Sequence, residues 1–155
     1  MNEKKNPKVC IAANGGGHLT EVLQIRKAWE NKEHFYICDR RVNSEGLARK
    51  ERVYFITPAR RNPIKFLSGF FKTLRILLKE NPKVIISTGA DAAFPAILLG
   101  ALLGKKVIYI ETFARISSPS MSGKLAYLFV KDFYVQWPEA KKWFPRAKYA
   151  GSVFE

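Results

Sequence analysis

Acidic residues are scarce in this sequence. Thirteen Asp and Glu residues oppose 27 Lys and Arg residues over 155 positions, which gives a formal net charge of +14. So large a basic excess calls for an anionic partner: a nucleic acid, an anionic lipid surface or a phosphorylated substrate. Hydrophobic residues make up 47% of the chain. The sequence therefore has enough apolar material for a core, which excludes a disordered protein.

Cysteines and long apolar runs are also rare. Cys10 and Cys38, the two cysteines, fall inside apolar strand-like segments, which predicts buried thiols in a reducing compartment and not a disulfide or metal site. No uncharged apolar run reaches the roughly 18 residues of a membrane-spanning helix, and no apolar signal region follows residues 1–5. We therefore expect a cytoplasmic protein, peripheral on the inner face of the cell membrane.

Signatures of nucleic-acid-binding domains are missing as well. The sequence has no zinc-ligand spacing, no RNP-like run and no clear helix-turn-helix pattern. Its aromatic residues mostly occupy strand or amphipathic positions, where core packing explains them. A basic nucleic-acid-binding module remains an alternative, but the leading interpretation includes no nucleic-acid partner.

The chain does contain a regular alternation of β-rich and helical segments. The predicted strands are Val9–Ala13, His34–Cys38, 53–56, 84–87, Lys106–Ile110 and 133–135, and the predicted helices are 19–31, Pro63–Glu80, 92–103, 122–130 and a short one from Pro138. This alternation predicts an α/β fold with a Rossmann-like, doubly wound parallel sheet. Without a linker or repeat, residues 1–155 are predicted to form one domain. The polar residues 39–52 are predicted to form a mobile connection.

Ligands of doubly wound sheets bind outside the carboxyl ends of the strands, where the strand order reverses. If the order is 3-2-1-4-5, strands one and four flank this crevice. The loop at residues 14–18 should then face the loop at residues 88–91, and Glu111 should lie beside them.

The loop after the first strand reads Asn14-Gly15-Gly16-Gly17-His18. Glycines let a backbone approach a ligand closely, and the following helix would offer N–H groups and a positive dipole end to a phosphate. A tight turn without a ligand is the alternative. His18 is a candidate base or hydrogen-bond donor near neutral pH, or a residue that only orients the loop.

Other phosphate-binding motifs do not fit this loop. A Walker A loop ends in Gly-Lys-Ser/Thr and a dinucleotide fingerprint reads G-x-G-x-x-G, but here Leu19 and Thr20 occupy the later positions. Asp39 does follow the second strand, where a ribose-binding acid would lie, and the next two arginines suit a 2′-phosphate. A stand-alone nucleotide-cofactor enzyme is kept as an alternative, while the leading interpretation requires no cofactor.

The loops after strands four and five supply further polar residues. Gly89 would permit close approach of a ligand to the loop that contains Thr88, and Asp91 could equally cap the next helix. Glu111 ends the fifth strand, where its carboxylate would contact a substrate hydroxyl or form a structural pair with Arg115.

The segment Pro63–Glu80 predicts a basic amphipathic helix with a wide apolar arc and no acid before its last residue. Such a helix can pack on the sheet as an ordinary crossover, or it can lie in an anionic membrane interface. The width of the arc and the preceding Arg60 and Arg61 favour membrane contact. The predicted membrane-binding residues are Lys65, Phe66, Phe70, Phe71, Lys72, Arg75 and Lys79.

Five blocks of the sequence together resemble one family: residues 13–18 (Ala-Asn-Gly-Gly-Gly-His), 87–96, 109–115, 135–139 (Val-Gln-Trp-Pro-Glu) and 151–154 (Gly-Ser-Val-Phe). They are similar to bacterial capsular and exopolysaccharide glycosyltransferase proteins related to the membrane-anchoring subunit of the dolichol-linked GlcNAc transferase. A weaker likeness exists to the N-terminal domain of the peptidoglycan GlcNAc transferase that makes lipid II.

This resemblance implies an N-terminal domain of the GT-B type, which binds a polyprenyl-diphosphate-linked acceptor at an anionic membrane surface. It also implies a separate catalytic subunit that binds the UDP-sugar donor, and no metal. His18 and Glu111 would be catalytic, and acceptor or phosphate binding would involve Asn14, Gly15, Gly16, Gly17, Thr88, Gly89, Asp91 and Arg115.

The chain ends close to the point where two-domain relatives cross into their donor domain, so the resemblance implies a heteromeric partner. Val153 and Phe154 are the predicted partner-binding residues, although they could equally complete the core of this domain. Relatives from eukaryotes have an N-terminal membrane helix. Anchoring here would then depend on the basic amphipathic helix, on the partner, or on both.

Overall fold

The computed structural model describes residues 6–155, which form a seven-stranded sheet with helices on both faces. The strands are β1 Val9–Ala13, β2 His34–Cys38, β3 Val53–Phe55, β4 Val84–Gly89, β5 Lys106–Ile110, β6 Asp132–Val135 and β7 Lys148–Tyr149. The helices are α1 Gly17–Leu23, α2 Val42–Ala48, α3 Pro63–Glu80, α4 Phe94–Leu102 and α5 Met121–Tyr127, with short 3-10 helices at Arg26–Ala28 and Pro138–Lys142.

The strands are all parallel and lie in the order β3-β2-β1-β4-β5-β6-β7, so the predicted central order is confirmed. Successive residues of β1 enter two separate cores, as the period of two of a strand requires. Ile11 packs with α1 on one face, while Cys10 packs with α3, α4 and α5 on the other. Burial on both faces explains the continuous apolar runs of the central strands.

Both cysteines are free and buried, as predicted. Burial raises the pKa of the Cys10 thiol well above its ordinary value and that of the Cys38 thiol to about 12. Each thiol therefore behaves as a small apolar group in the core.

Helix α3 has the predicted bounds because both of its ends carry strong local signals. The side-chain oxygen of Asn62 accepts hydrogen bonds from Ile64 N at 3.0 Å and Lys65 N at 3.2 Å, and Pro63 occupies the first helical position. At the other end Asn81 adopts a left-handed conformation with φ 47°, which ends the helix.

Two predicted segments differ most from the structure. The predicted helix 19–31 ends early, as α1 stops at Leu23 and the chain turns so that Trp29 is fully buried and donates to the Tyr36 hydroxyl at 3.1 Å. The prediction of a mobile connection at residues 39–52 is wrong, since α2 lies within it. The first turn of that helix is capped by Ser44, whose hydroxyl accepts from Arg41 N at 2.8 Å.

Candidate functional site

The crevice predicted at the reversal of strand order exists, and direct hydrogen bonds join the two loops beside it. The Asn14 side-chain oxygen accepts from Ala92 N at 2.8 Å. His18 Nδ1 contacts the Thr88 carbonyl oxygen at 2.9 Å, and the Thr88 hydroxyl donates to the His18 carbonyl oxygen at 2.9 Å. The loops after β1 and β4 therefore face each other, as predicted.

A cavity of about 500 Å³ opens at this crevice, between the first turns of α3, α4 and α5. Its lining combines cationic, hydroxyl and apolar side chains: His18, Arg60, Arg61, Phe66, Ala90, Asp91, Phe94, Thr112, Arg115, Ser120, Met121, Ser122 and Leu125. A cavity with guanidinium groups and aromatic or aliphatic side chains suits a ligand that has both an anionic and an apolar part.

His18 is held in one orientation, which selects one tautomer of its neutral ring. A carbonyl oxygen only accepts hydrogen bonds, so the proton of the neutral imidazole lies on Nδ1, which donates to Thr88. Nε2 then carries the lone pair, and it has no hydrogen-bond partner within residues 6–155. This arrangement gives a ring nitrogen that can accept a proton from a ligand in the cavity.

The glycine loop is engaged by the protein itself. Gly15 N donates to Asp39 Oδ1 at 2.5 Å, and Gly16 N donates to Asn43 Oδ1 at 2.8 Å. A β-carbon at Gly15 would lie 2.7 Å from Arg41 Cβ, so glycine is required for this close approach. These two N–H groups therefore already have acceptors, and the prediction that Gly15 and Gly16 bind a phosphate stays a prediction.

The same contacts argue against the nucleotide-cofactor alternative. Asp39 is buried, and its second oxygen pairs with Arg41 Nε at 3.0 Å. With only 1% of Asp39 exposed, little of this carboxylate is open to a ribose hydroxyl.

Asp91 does not cap α4 but fixes the loop before α3. Its Oδ2 accepts from Arg60 N at 2.7 Å. Arg60 and Arg61 both have left-handed backbones, with φ 46° and 65°, and Ala90 has φ 76°. Non-glycine residues adopt this conformation at a cost, and three of them line one cavity, which is typical of a functional site.

Gly89 is required at its position for two reasons. Its φ of 87° favours glycine, and a β-carbon would lie 2.8 Å from Ser122 Oγ and closer still to the Tyr109 hydroxyl. That hydroxyl lies 3.0 Å from Ser122 Oγ, and burial raises its pKa, so it stays protonated. Gly89 thus lets β4 approach the first turn of α5.

Glu111 is buried and does not line the cavity. Its Oε1 accepts from the Ser120 hydroxyl at 2.6 Å and from Thr112 N at 3.0 Å, and its Oε2 accepts from Ser120 N at 3.2 Å. Ser120 in turn caps α5 by accepting from Gly123 N at 2.9 Å. The predicted pair with Arg115 does not form, since that guanidinium contacts Ser118 Oγ at 3.3 Å.

A second buried carboxylate, Glu21, ties α1 to the loop after β5. It accepts from the Thr112 hydroxyl at 2.9 Å and from Phe113 N at 2.7 Å, and it also accepts from the Gln136 amide. The sequence analysis did not single out Glu21. Its donors lie 91 to 115 residues away along the chain, so nothing near Glu21 in the sequence indicated that its carboxylate is buried.

The C-terminal residues return to this network. Val153 N donates to Gln136 Oε1 at 3.0 Å, and the Val153 side chain packs against the core on the α1 face. Phe154 is half exposed, and its ring lies edge-on to Phe113 at 5.1 Å. Of the two predicted partner-binding residues, Val153 belongs partly to the domain's own core, and Phe154 packs on Phe113 with half of its surface exposed.

Helix α3 presents two parallel stripes to solvent. The exposed apolar residues Ile64, Leu67, Phe71 and Leu78 follow helical spacing along one stripe. The basic stripe beside it contains Lys65, Lys72, Arg75 and Lys79, all exposed. Two predicted membrane-binding residues lie elsewhere: Phe66 is half-buried in the wall of the cavity and Phe70 is half-buried against the core.

The sequence analysis did not identify several of the residues that line the cavity. Arg60 and Arg61 were considered only as lipid contacts, and Phe94, Met121 and Leu125 were not considered. The one local sequence signal that pointed to cavity residues was the pair of arginines directly before the cap of α3. Within the described range 6–155, no group of three or more His, Cys, Asp or Glu residues could hold a metal ion, and no helix is long and apolar enough to cross a membrane.

Comparison with solved structures shows the fold class. The chain matches the crystal structure of Acinetobacter baumannii MurG with a TM-score of 0.78 and 19% identity, over 94% of this chain and 45% of that one. The chain thus spans less than half of the MurG structure. Together with the sheet order and the crevice, this match defines a Rossmann-like domain of the GT-B N-terminal type.

Residues 9–153 match the family described as "Oligosaccharide biosynthesis protein Alg14 like", and the chain belongs to that family. A relative named UDP-N-acetylglucosamine transferase subunit ALG14 from Homo sapiens is 28% identical over 99% of this chain and 86% of its own length. The protein of the same name from Yarrowia lipolytica is 27% identical over 94% of this chain and 81% of its own length. The predicted relation to this subunit family is confirmed.

Proposed function

We propose that the chain is the acceptor-binding, membrane-associating subunit of a two-component glycosyltransferase. The complex transfers a sugar from a UDP-sugar to a polyprenyl-diphosphate-linked acceptor on the inner face of the cell membrane. The product serves capsular or exopolysaccharide synthesis. Because the relatives are named as subunits of a UDP-N-acetylglucosamine transferase, UDP-GlcNAc is the first donor to test.

The amphiphilic cavity carries this proposal. Arg60, Arg61 and Arg115 supply the positive charge that a diphosphate requires, and guanidinium groups bind phosphate oxygens in pairs. Phe66 and Leu125 supply apolar surface for the first isoprene units. The cavity opens beside the exposed stripes of α3, so a lipid held in the bilayer reaches it without leaving the interface.

His18 is the proposed base. The acceptor hydroxyl attacks the anomeric carbon of the donor, the bond between that carbon and the UDP oxygen breaks, and UDP leaves with the bonding electrons. Nε2 of His18 takes the hydroxyl proton, while Nδ1 stays bonded to Thr88. The partner subunit binds the donor and stabilises the leaving UDP.

The two stripes of α3 are the proposed membrane contact. Apolar side chains such as Phe71, 57% exposed, enter the headgroup boundary, and Lys65, Lys79 and Arg75 attract anionic lipid. Phe71→Ser should weaken binding to vesicles containing phosphatidylglycerol by roughly tenfold or more, since burying a Phe side chain contributes roughly 1.5–3 kcal/mol.

Val42→Ser is the matched control for this vesicle experiment, because Val42 is 90% exposed on α2, away from α3. Equal effects of the two substitutions in a flotation assay would refute the assignment of α3 as the membrane contact.

The decisive test is a transfer assay with UDP-GlcNAc and membranes as the acceptor source. It compares this chain alone, the product of the neighbouring gene alone, and both together. We expect activity only with both. Absence of any gain on mixing, with no binding between the two proteins, would refute the two-component proposal.

His18→Asn tests the base within that assay. The Asn amide N–H replaces Nδ1 as the donor to Thr88 but leaves no ring nitrogen to accept a proton. We expect the rate to fall by roughly 100-fold or more while thermal stability is retained. A rate within a factor of two of wild type would exclude His18 as the base.

A further inference from the structure

A second cavity, of about 420 Å³, lies at the carboxyl ends of β2 and β3 and is distinct from the His18 crevice. Arg60 is the one residue that lines both cavities. The lining includes the carboxylate Asp39 and four cations, Arg40, Arg41, Arg60 and Lys72. We call this cavity the cationic niche.

The residues that line the niche do not neutralise its positive charge. Asp39 is the only carboxylate among its lining residues, and it is buried and paired with Arg41 at 3.0 Å. A nearby acid, Glu45, contacts Arg40 at 3.3 Å, but both side chains are largely exposed, so solvent screens this pair. The cations therefore outnumber the acids, and an anion in the niche would be attracted.

Three of the cationic side chains are already held in place. Asp39 orients the Arg41 guanidinium, and the Arg40 guanidinium stacks on the Phe55 ring at 4.2 Å from its centroid. Lys72 Nζ donates to the Phe55 carbonyl oxygen at 2.6 Å and has further protons to donate. An anion would meet donors whose conformational freedom is already reduced, which lowers the entropic cost of binding.

We propose that the cationic niche binds a phosphate monoester or diester, and that its occupant in the cell is the headgroup phosphate of an anionic phospholipid. Two or more guanidinium groups together with an ammonium group match the several oxygens of a phosphate. Lys72 belongs to the exposed basic stripe of α3, so the niche is continuous with the proposed membrane contact, on which the choice of a lipid headgroup rests. This site requires neither the acceptor nor a partner subunit.

The test uses two pairs of matched substitutions. Lys72→Gln changes the niche, and Lys79→Gln removes an equally exposed charge seven residues further along the same face of α3. Arg40→Gln changes the niche, and Arg49→Gln removes an exposed charge from the same β2–β3 connection. Each protein is titrated with sn-glycerol 3-phosphate and with inorganic phosphate, followed by NMR chemical shifts.

The same proteins are then titrated with phosphatidylcholine vesicles that do or do not contain phosphatidylglycerol. We expect each niche substitution to weaken vesicle binding about fivefold more than its control, because a niche cation loses a direct hydrogen bond to the phosphate in addition to the general attraction that every cation near an anionic surface contributes. A parallel loss with glycerol phosphate would support recognition of the phosphate itself. A loss confined to vesicles would support the lipid headgroup as the source.

Equal effects of niche and control substitutions on vesicles, without any effect on the soluble phosphates, would overturn the proposal. Such a result would mean that the niche adds only general surface charge.

Discussion

Replacing Glu111 with Gln separates a catalytic role for this residue from a structural one. The family resemblance predicts a catalytic role for Glu111, whereas the structure places its carboxylate among three donors at the start of α5. If Glu111 is catalytic, its substitution should lower the transfer rate. If it is structural, its substitution should lower the thermal stability.

The size of the structural effect follows from the donors. A glutamine can keep its carbonyl oxygen towards Thr112 N and the Ser120 hydroxyl, which leaves its NH2 group facing Ser120 N. One buried N–H then loses its acceptor, which costs roughly 1–3 kcal/mol. For a domain of this length, about 2 kcal/mol corresponds to a fall in Tm of roughly 4–8 °C.

The assay is thermal unfolding of Glu111→Gln followed by circular dichroism, together with the transfer rate at a temperature where the variant is folded. Glu139→Gln is the control, because Glu139 is exposed and its substitution should change stability by less than about 0.5 kcal/mol. We expect a lower Tm and a rate close to wild type. An unchanged Tm with a rate reduced by 100-fold would refute the structural interpretation and restore the catalytic one.

Gly89→Ala should lower both stability and acceptor binding, because the new methyl group overlaps the Tyr109 hydroxyl and strains a left-handed backbone; an unchanged Tm would contradict this. Glu80→Gln should make stability less sensitive to acid. Burial raises the pKa of Glu80, but hydrogen bonds from Tyr54 and Lys8 outweigh it, so the folded pKa lies below 4.5. Its stabilisation is therefore present above about pH 4.5 and lost as the pH falls through the folded pKa. Tm curves from pH 7 to 3 should converge for the two proteins, and curves that stay parallel would contradict the sign.

The elements that sequence reasoning predicted well are those with local signals. β1, β2, β5 and α3 have the predicted bounds because their hydrophobic pattern and end signals lie within the segments. Helix α2 could not be predicted in this way, because Ser44 orders its first turn through contacts with Asp39 and Arg41 and not through an apolar stripe. Strand β7 has only two exposed residues and no pattern of its own.

The sequence predicted where the candidate site lies, but not which of its groups are available to a ligand. Parallel topology alone places the loops after β1 and β4 together. Which groups remain available there depends on tertiary contacts: Asp39 reaches Gly15 from 24 residues away, and Asp91 reaches Arg60 across 31 residues. Neither contact has a signature in a single sequence.

These contacts also explain how a chain so poor in acids keeps its arginines available. Asp39 and Asp91, the carboxylates that line the two cavities, both accept from backbone N–H groups, at Gly15 and Arg60. Among residues 6–155, Asp91 thereby fixes a loop without an ion pair to the guanidinium of Arg60, and Asp39 pairs only with Arg41. Two N–H groups of the glycine loop, at Gly15 and Gly16, thus already have acceptors, whereas the guanidinium groups keep their charge for the proposed anionic ligand.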